Sequence, residues 1–295
     1  MTYKLLALDL DGTTLNAQLD ILPEVKRAIA AAQAHGVIVT LATGRMFGAT
    51  LPYAERLNIH GPLICFQGGL IRDARTGEVY QHTAVPGELA AEAIELLLAA
   101  DLFVIAYIDE RLWVAQQRPE LDMYLGWHPE RPDVVIDPDL ASTIANASIA
   151  RLLTQAESAR APDLADMAVA NPPSKLLFVA DPPVVEREIA RLAAHFAGRL
   201  SVFRSHSLFG ELTPLGISKG VALAQLAARL GIPREQVIAI GDHENDLSMI
   251  EWAGLGLAMG NAIPDLRAAA NAIIPSVDEA GVAWAIERYI LQSEQ

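Results

Sequence analysis

Leu5-Leu6-Ala7-Leu8-Asp9-Leu10-Asp11-Gly12-Thr13-Thr14-Leu15 sets four apolar residues directly before two carboxylates and a glycine. A short apolar run without alternation reads as a strand buried on both faces, the kind found inside a parallel sheet. Open parallel sheets bind ligands outside the carboxyl ends of their strands, which is where this run turns acidic. Asp9 and Asp11 stand two residues apart, and like charges that close repel unless a cation or a shared proton lies between them. Asp11-Gly12 is also a common turn pair, so the segment alone admits a purely structural reading.

Outward from this stretch, strands and helices alternate. Pro23 to His35 carries apolar positions at Val25, Ile29 and Ala32 and stops before Gly36, which predicts a helix. Val37 to Ala42 reads as a strand, Phe47 to Leu57 as a helix across Pro52, and Leu63 to Phe66 as a third buried strand. Gly68-Gly69 and a hairpin over Arg72 to Tyr80 follow. The same alternation returns after Ser218. Lys219 to Leu230 is a helix closed by Gly231, Val237 to Ile240 a strand, and Asp246 to Ala253 a helix. Leu255 to Met259 and Ala272 to Ile274 are short strands, and Val282 to Leu291 is a last helix. The expected fold is α/β: a Rossmann-like parallel sheet built from residues 1–85 and 211–295, interrupted by an insertion over 86–210.

The insertion reads as a smaller α+β domain. Glu88 to Ala100 is a helix, and Leu102 to Ile108 with Arg111 to Ala115 flank Asp109-Glu110 as a hairpin. Arg118 to Pro138 and Ala156 to Pro173 are read as irregular, being rich in Pro and acids. Lys175 to Val179 is a strand, Val184 to Phe196 a helix and Leu200 to Arg204 a strand. Trp113, Tyr124 and Trp127 are read as core of this domain, with a sugar-binding face as the alternative. Lys175 opens its strand, and solvent exposure is its expectation.

Composition narrows the function classes. The 295 residues suit two domains or one large one. With 52% apolar and 20% charged residues the chain is not a disordered one. Its 22 Lys and Arg against 36 Asp and Glu leave a net charge of −14, which argues against a nucleic-acid binder with a basic face. An acidic protein that handles anionic ligands needs a local device, either a metal ion or a few placed cations. Cys65 is alone, so an internal disulfide is excluded. The apolar part of MTYKLLALDLDGTTL is too short for a signal peptide, and Leu96 to Ile108 falls short of the ~20 residues that span a bilayer. A cytoplasmic location without membrane or nucleic-acid partners is expected; oligomeric state is left open.

Three further strand ends carry chemistry. Thr43-Gly44-Arg45 places a hydroxyl and a guanidinium around a glycine before a helix, a set that can hold a phosphate. Lys219-Gly220 offers a compact point charge suited to a phosphoryl oxygen. Gly241-Asp242-His243-Glu244-Asn245-Asp246 gathers three acids and an amide at a strand-to-helix junction, a hard-cation pattern; Mg²⁺ takes oxygen ligands of this kind. Taken singly, each also has a structural reading as a helix cap or an acidic helix start.

Together the four resemble the motifs of the haloacid dehalogenase superfamily of aspartyl phosphohydrolases. Asp9-x-Asp11-Gly12-Thr13, Thr43-Gly44-Arg45, Lys219-Gly220 and Gly241-Asp242-x-x-Asn245-Asp246 stand in the family's order. The insertion between the second and third looks like the α/β cap of the Cof-type branch, many of whose members dephosphorylate sugar phosphates. One departure is Gln67-Gly68-Gly69, where many relatives carry Asn-Gly.

The resemblance implies roles. Asp9 would be the nucleophile, forming an aspartyl phosphate, and Asp11 the general acid and then base. Thr43 and Lys219 would hold the transferring phosphoryl oxygens. Mg²⁺ would be bound by Asp9, the main-chain carbonyl of Asp11 and Asp242, with Asp246 as a further ligand or a support behind it. Gly44, Arg45 and Asn245 would contact substrate. The expected function is a Mg²⁺-dependent phosphatase of small phosphorylated metabolites, sugar phosphates above all. A phosphomutase of the same superfamily, like phosphomannomutase, is the alternative, separated by product identity. A dinucleotide-binding protein is excluded because no Gly-x-Gly-x-x-Gly follows a strand. A catalytically dead regulatory protein is disfavoured because every reactive position is present.

Overall fold

Leu5–Leu8 forms strand β1, buried along its whole length. It lies inside a parallel sheet, with apolar side chains covered on both faces. The computed structural model describes residues 2–126, 132–156 and 171–292. The chain divides into two compact units, one formed by residues up to His82 and from Ile217 onward, the other by Thr83–Gly216. The inserted unit thus ends six residues beyond position 210, where the sequence reading placed its edge.

In the first unit, β1 is followed by α1 (Pro23–Ala34), β2 (Ile38–Leu41), α2 (Phe47–Arg56) and β3 (Pro62–Cys65). Helix α1 starts on Pro23, whose fixed φ suits a first turn, and buries Val25, Ala28, Ile29 and Ala32 on one face. β3 corrects the reading of a third sheet strand. It meets β2 through the single bridge Ala42–Ile64 and pairs antiparallel with β4 (Leu70–Asp73), itself paired with β5 (Val79–His82). Phe66 and Gln67 both take positive φ, so the chain reverses at once and the strand turns into a three-stranded sheet.

The inserted unit holds α3 (Gly87–Ala99), β6 (Phe103–Ile108), β7 (Arg111–Val114), α4 (Pro119–Gly126), β8 (Val134–Ile136) and α5 (Leu140–Ala156). It continues through β9 (Lys175–Val179), α6 (Pro182–His195), β10 (Leu200–His206) and β11 (Phe209–Pro214). Its sheet runs β10-β11-β9-β6-β7-β8, with Val104, Ala106, Trp113, Leu176 and Phe178 packed in one core with residues of α3, α5 and α6. The stretch Arg118 to Pro138, read as irregular, contains α4 and β8. Helix α5 and strand β11 went unassigned. α5 is rich in Ala, Ser and Thr, so its buried Leu140, Ile144 and Ala147 give little periodic contrast. β11 contains Gly210 and Pro214, and it forms because β9 and β10 pair with both its edges. Residues 157–170, within the second stretch read as irregular, lie outside the described residues, as do Trp127 and His128.

The first unit resumes with α7 (Lys219–Arg229), β12 (Val237–Gly241), α8 (Leu247–Trp252), β13 (Leu255–Ala258), α9 (Pro264–Ala269), β14 (Ala272–Ile273) and α10 (Gly281–Ile286). Helix α9, short and bounded by Pro264, went unread. The sheet order is β14-β13-β12-β1-β2, all parallel. From β1 the chain steps to β2 on one side and later to β12 on the other. β1 therefore borders the reversal of strand order at which such sheets open a ligand crevice. Among the described residues no helix is long and apolar enough to cross a membrane.

Candidate active site

The register of three adjacent strands sets the site. Leu8 is level with Leu41 on β2 and Ile240 on β12, so Asp9, Thr43 and Asp242 leave neighbouring strand ends within two residues of one line. The Asp9 N–H donates to the Ile240 carbonyl at 2.9 Å, holding the acid in the sheet's own ladder. After Asp9 the loop folds back: the Thr14 hydroxyl donates to the Asp9 carbonyl at 2.6 Å, and the Gly12 N–H to that of Leu15 at 2.9 Å. Gly12 takes φ +81°, and a Cβ there would stand 2.4 Å from Asp242 Oδ2. Only glycine lets the loop pass so close to the opposing acid. The Thr13 hydroxyl donates to Asp242 Oδ1 at 3.0 Å and fixes that carboxylate's rotation.

Lys219, at the first turn of α7, is fully buried. Its Nζ donates to Asp9 Oδ1 at 2.5 Å and to Asp246 Oδ1 at 2.6 Å. Ser218 caps the helix by accepting the Val221 N–H, and the Gly220 N–H donates to Ser248 Oγ at 3.0 Å. Asp246 is also fully buried, and its Oδ2 accepts the N–H groups of Asp242 and His243 at 2.9 and 3.1 Å. Both oxygens of Asp246 are therefore spent on holding Lys219 and the loop after β12. Asp9 Oδ2 and Asp242 Oδ2 carry no hydrogen bond among the described residues.

The electrostatics follow from this crowding. Burial works against the Lys219 charge, but the carboxylates of Asp246 and Asp9 outweigh it and hold the ammonium well above the ordinary lysine range. Asp9 is pushed well above the usual carboxylate range, first by burial and then by the charge of Asp246, with Lys219 acting the other way. Asp242 is pushed up to about 6 by burial and by Asp246. Carboxylate oxygens of Asp9, Asp242 and Asp246 lie within 4.8 Å of one another. Three acids against one ammonium crowd an acidic surplus into a largely buried space, and the raised Asp9 and Asp242 reflect the cost of ionising them there without a cation. An all-oxygen set with that surplus fits a hard divalent cation.

Asp11 points toward solvent, and Arg45 meets it with two hydrogen bonds: Nε to Oδ2 at 2.9 Å and Nη2 to Oδ1 at 2.7 Å. The guanidinium lies over the Tyr53 ring, 5.2 Å from its centroid. The buried Thr43 hydroxyl accepts the Arg45 N–H at 3.2 Å. Gly44 faces Gln67, whose Nε2 lies 2.4 Å from where a Cβ on Gly44 would be, and Gln67 Oε1 accepts Asn245 Nδ2 at 3.0 Å. The residue that departs from the common Asn-Gly pattern thus packs against one position read as a substrate contact, Gly44, and is hydrogen-bonded to another, Asn245.

The four motifs come together as two linked groups, Asp9–Lys219–Asp246–Asp242 and Asp11–Arg45, with Gln67–Asn245 as an amide pair. Sequence reasoning missed the supports: Ser218, Ser248, and Thr13 and Thr14 as hydrogen-bond donors, of which only the threonines carried a signal, by adjoining the first motif. His243 and Glu244 are exposed. Trp113 is 5% exposed and belongs to the helix-side core of the inserted unit. The expectation of an exposed Lys175 is overturned: it is 5% exposed and its Nζ donates to buried Glu211 at 3.0 Å. Its neighbours in the strand are apolar, and nothing local points to a partner thirty-six residues away.

Comparison with known proteins agrees with this geometry. A profile of the haloacid dehalogenase-like hydrolases matches residues 6–286. Phosphatase YwpJ of Bacillus subtilis is 30% identical over 297 residues, covering 95% of this chain and 97% of that protein. The 5-amino-6-(5-phospho-D-ribitylamino)uracil phosphatase YwtE of Bacillus subtilis is 30% identical over 293 residues, covering 97% and 98%. A crystal structure of a haloacid dehalogenase-like hydrolase from Bacteroides thetaiotaomicron superposes with a TM-score of 0.81 at 30% identity, covering 97% of this chain and 99% of that one. With strand order, acid spacing and whole-length similarity in agreement, the chain belongs to the haloacid dehalogenase-like hydrolases.

Proposed function

We propose that the chain is a Mg²⁺-dependent phosphatase of small phosphorylated metabolites, acting through an aspartyl phosphate on Asp9. The observation that carries this reading is the buried Lys219 ammonium, shared between Asp9 and Asp246 at 2.5 and 2.6 Å. It pins one oxygen of Asp9 and leaves the other, Oδ2, to attack phosphorus. Mg²⁺, held by Asp9, the main-chain carbonyl of Asp11 and Asp242, would neutralise the carboxylates and let an anionic phosphate approach. Asp246 supports the set from behind through Lys219 and the Asp242 N–H.

Attack by Asp9 forms the acyl-phosphate bond and breaks the ester P–O bond, while Asp11 gives its proton to the departing oxygen. Asp11, now a carboxylate, takes a proton from water as that water attacks phosphorus and frees Asp9. Lys219 and Thr43 hold the transferring oxygens in both steps. Gly44, Arg45 and Asn245 line the approach of the substrate. The inserted unit, as a cap, sets which esters are accepted. Sugar and polyol phosphates are the favoured class, a reading supported by the relative named for a phosphoribityl compound. The partner is a small phosphoester and the expected location the cytoplasm.

A phosphate-release screen over sugar phosphates, nucleotides and cofactor phosphates tests the class. Mass spectrometry of acid-quenched turnover tests the intermediate, which is expected as a phosphoryl adduct on Asp9. Turnover by an Asp9→Asn variant would overturn the mechanism.

A further inference from the structure

Asn261 joins two loops of the first unit to each other. It stands three residues beyond β13 and is exposed. Its Nδ2 donates to the Gly12 carbonyl at 2.8 Å, and its Oδ1 accepts the Val277 N–H at 2.9 Å. Neither Asn261 nor Val277 belongs to a motif read from the sequence.

The far end of this link is well fixed. Val277 opens a 3₁₀ turn over Val277–Glu279, where Glu279 Oε2 accepts the Ser276 hydroxyl at 2.7 Å and the Ser276 N–H at 3.1 Å. The loop that carries Asn261 is tied to the end of β12 through the main chain. The Met259 N–H donates to the Gly241 carbonyl and the Ile263 N–H to the Asp242 carbonyl, both at 3.0 Å. Arg267 also donates to the Gly260 carbonyl. These bonds shape the loop without the Asn261 side chain, which adds little by burial.

What that side chain adds lies at Gly12. Glycine moves more freely than any other residue, and this one, at φ +81°, sits between Asp11 and Thr13. The Gly12 N–H donates to the Leu15 carbonyl at 2.9 Å, which fixes the peptide plane between Asp11 and Gly12. In a planar trans peptide the carbonyl points away from the N–H, so the same bond directs the Asp11 carbonyl. The Asn261 bond fixes the next plane, between Gly12 and Thr13. With both planes held, the two soft dihedrals of Gly12 are held too. Asp11 lies on one side of them, and on the other lies Thr13, whose hydroxyl orients Asp242.

Resting on the phosphatase reading, we propose that Asn261 is a positioning residue for the acidic loop. By holding the Gly12 carbonyl it fixes the direction of the Asp11 carbonyl, read as a Mg²⁺ ligand, and the place of the Asp11 carboxyl, read as the acid. Groups that orient metal ligands from behind govern affinity and rate without touching the ion.

The test uses the full chain. Asn261→Leu keeps the size of the side chain but neither donates nor accepts. Arg267→Met removes a hydrogen bond from the same loop and leaves Gly12 untouched. The Mg²⁺ dependence of the melting temperature, without substrate, reports metal affinity. Kinetics on p-nitrophenyl phosphate at saturating Mg²⁺ report the reaction. Asn261→Leu is expected to weaken Mg²⁺ affinity about three- to tenfold and to lower kcat by a similar factor, with KM within about twofold. Arg267→Met should keep both within about twofold of wild type, whatever its melting temperature without metal. Wild-type Mg²⁺ affinity in Asn261→Leu would overturn the proposal. So would equal affinity losses in the two variants, because loosening of the loop would then suffice. A raised KM with kcat unchanged would overturn it as well, by placing Asn261 at the substrate. If Asn261→Leu does not fold, Asn261→Ala removes the same contacts and carries the same comparison. A wild type that neither turns over p-nitrophenyl phosphate nor gains melting temperature with Mg²⁺ would instead strike the phosphatase reading itself.

Discussion

Arg45 grips both oxygens of Asp11, its Nε 2.9 Å from Oδ2 and its Nη2 2.7 Å from Oδ1. The paired contact fixes both the position and the plane of that carboxylate. Arg45 is in turn held by the Tyr53 ring. A residue read from sequence as a substrate contact thus touches the proposed acid–base directly.

If Arg45 works through Asp11, its loss should resemble loss of proton transfer. Arg45→Met is expected to lower kcat on alkyl phosphates about ten- to a hundredfold, with a smaller loss on p-nitrophenyl phosphate, whose leaving group needs no proton. Arg45→Lys should restore little, since a single ammonium cannot reproduce a two-point grip. A KM increase of equal size on both esters would point to phosphate binding instead.

Metal dependence is the expectation that the surplus of acids around Lys219 raises. Chelation should abolish turnover and Mg²⁺ restore it, whereas Ca²⁺ should substitute poorly because its larger, looser coordination misplaces the attacking carboxylate. Mg²⁺ should also raise the melting temperature, by binding only the folded state. Asp242 lies near 6 without metal, so its proton competes with the cation. Apparent Mg²⁺ affinity should fall as pH drops through about 6, measured by the Mg²⁺ dependence of the melting temperature. Activity that persists in excess chelator would remove the metal from the mechanism.

Asp73 gives a stability test apart from catalysis. Burial acts against its charge, but the Thr76 N–H and hydroxyl, the Arg75 N–H and the Tyr80 hydroxyl outweigh it and lower its pKa. A lowered folded-state pKa contributes stability above the unfolded value and loses it as pH falls through the folded one. Asp73→Asn should therefore cost about 1–3 kcal/mol at pH 7 and progressively less in acid, read from urea midpoints. A difference that does not shrink at low pH would mean that the carboxylate charge is not the source.

Legibility differed by kind of interaction. Three of the four motifs were readable because each follows an apolar strand, and strand ends are local features of sequence; Lys219-Gly220 opens helix α7 instead. β3 misled because its fate is set by the positive-φ turn at Phe66 and Gln67, which lies beyond the strand. β11 was hidden because its glycine and proline act as sheet residues only once β9 and β10 flank it. Lys175 failed for the same reason, since its burial depends on Glu211 from another strand. Asp246 was read as a ligand or a support; that its oxygens meet Lys219 and the N–H groups of Asp242 and His243 was invisible in the motif, because those partners come from outside it or from its own backbone.

Asp9 and Asp11 can be separated by the leaving group, which a plain loss of activity cannot do. Asp9→Asn removes the nucleophile, so no phosphoenzyme should form with any ester. Asp11→Ala leaves Asp9 on Lys219 and free to attack, but the departing oxygen receives no proton. An alkoxide needs that proton, whereas a nitrophenolate leaves adequately without it. The second step lacks its base with either ester, so hydrolysis of the acyl phosphate should be slow. On p-nitrophenyl phosphate Asp11→Ala should therefore release a burst of nitrophenol near one equivalent per site, then turn over slowly with phosphate on Asp9. On an alkyl sugar phosphate the burst should be much smaller or absent. Rapid-quench kinetics on both esters decide between the roles. A burst from Asp9→Asn, or equal first-step losses for Asp11→Ala on both esters, would reverse the assignment.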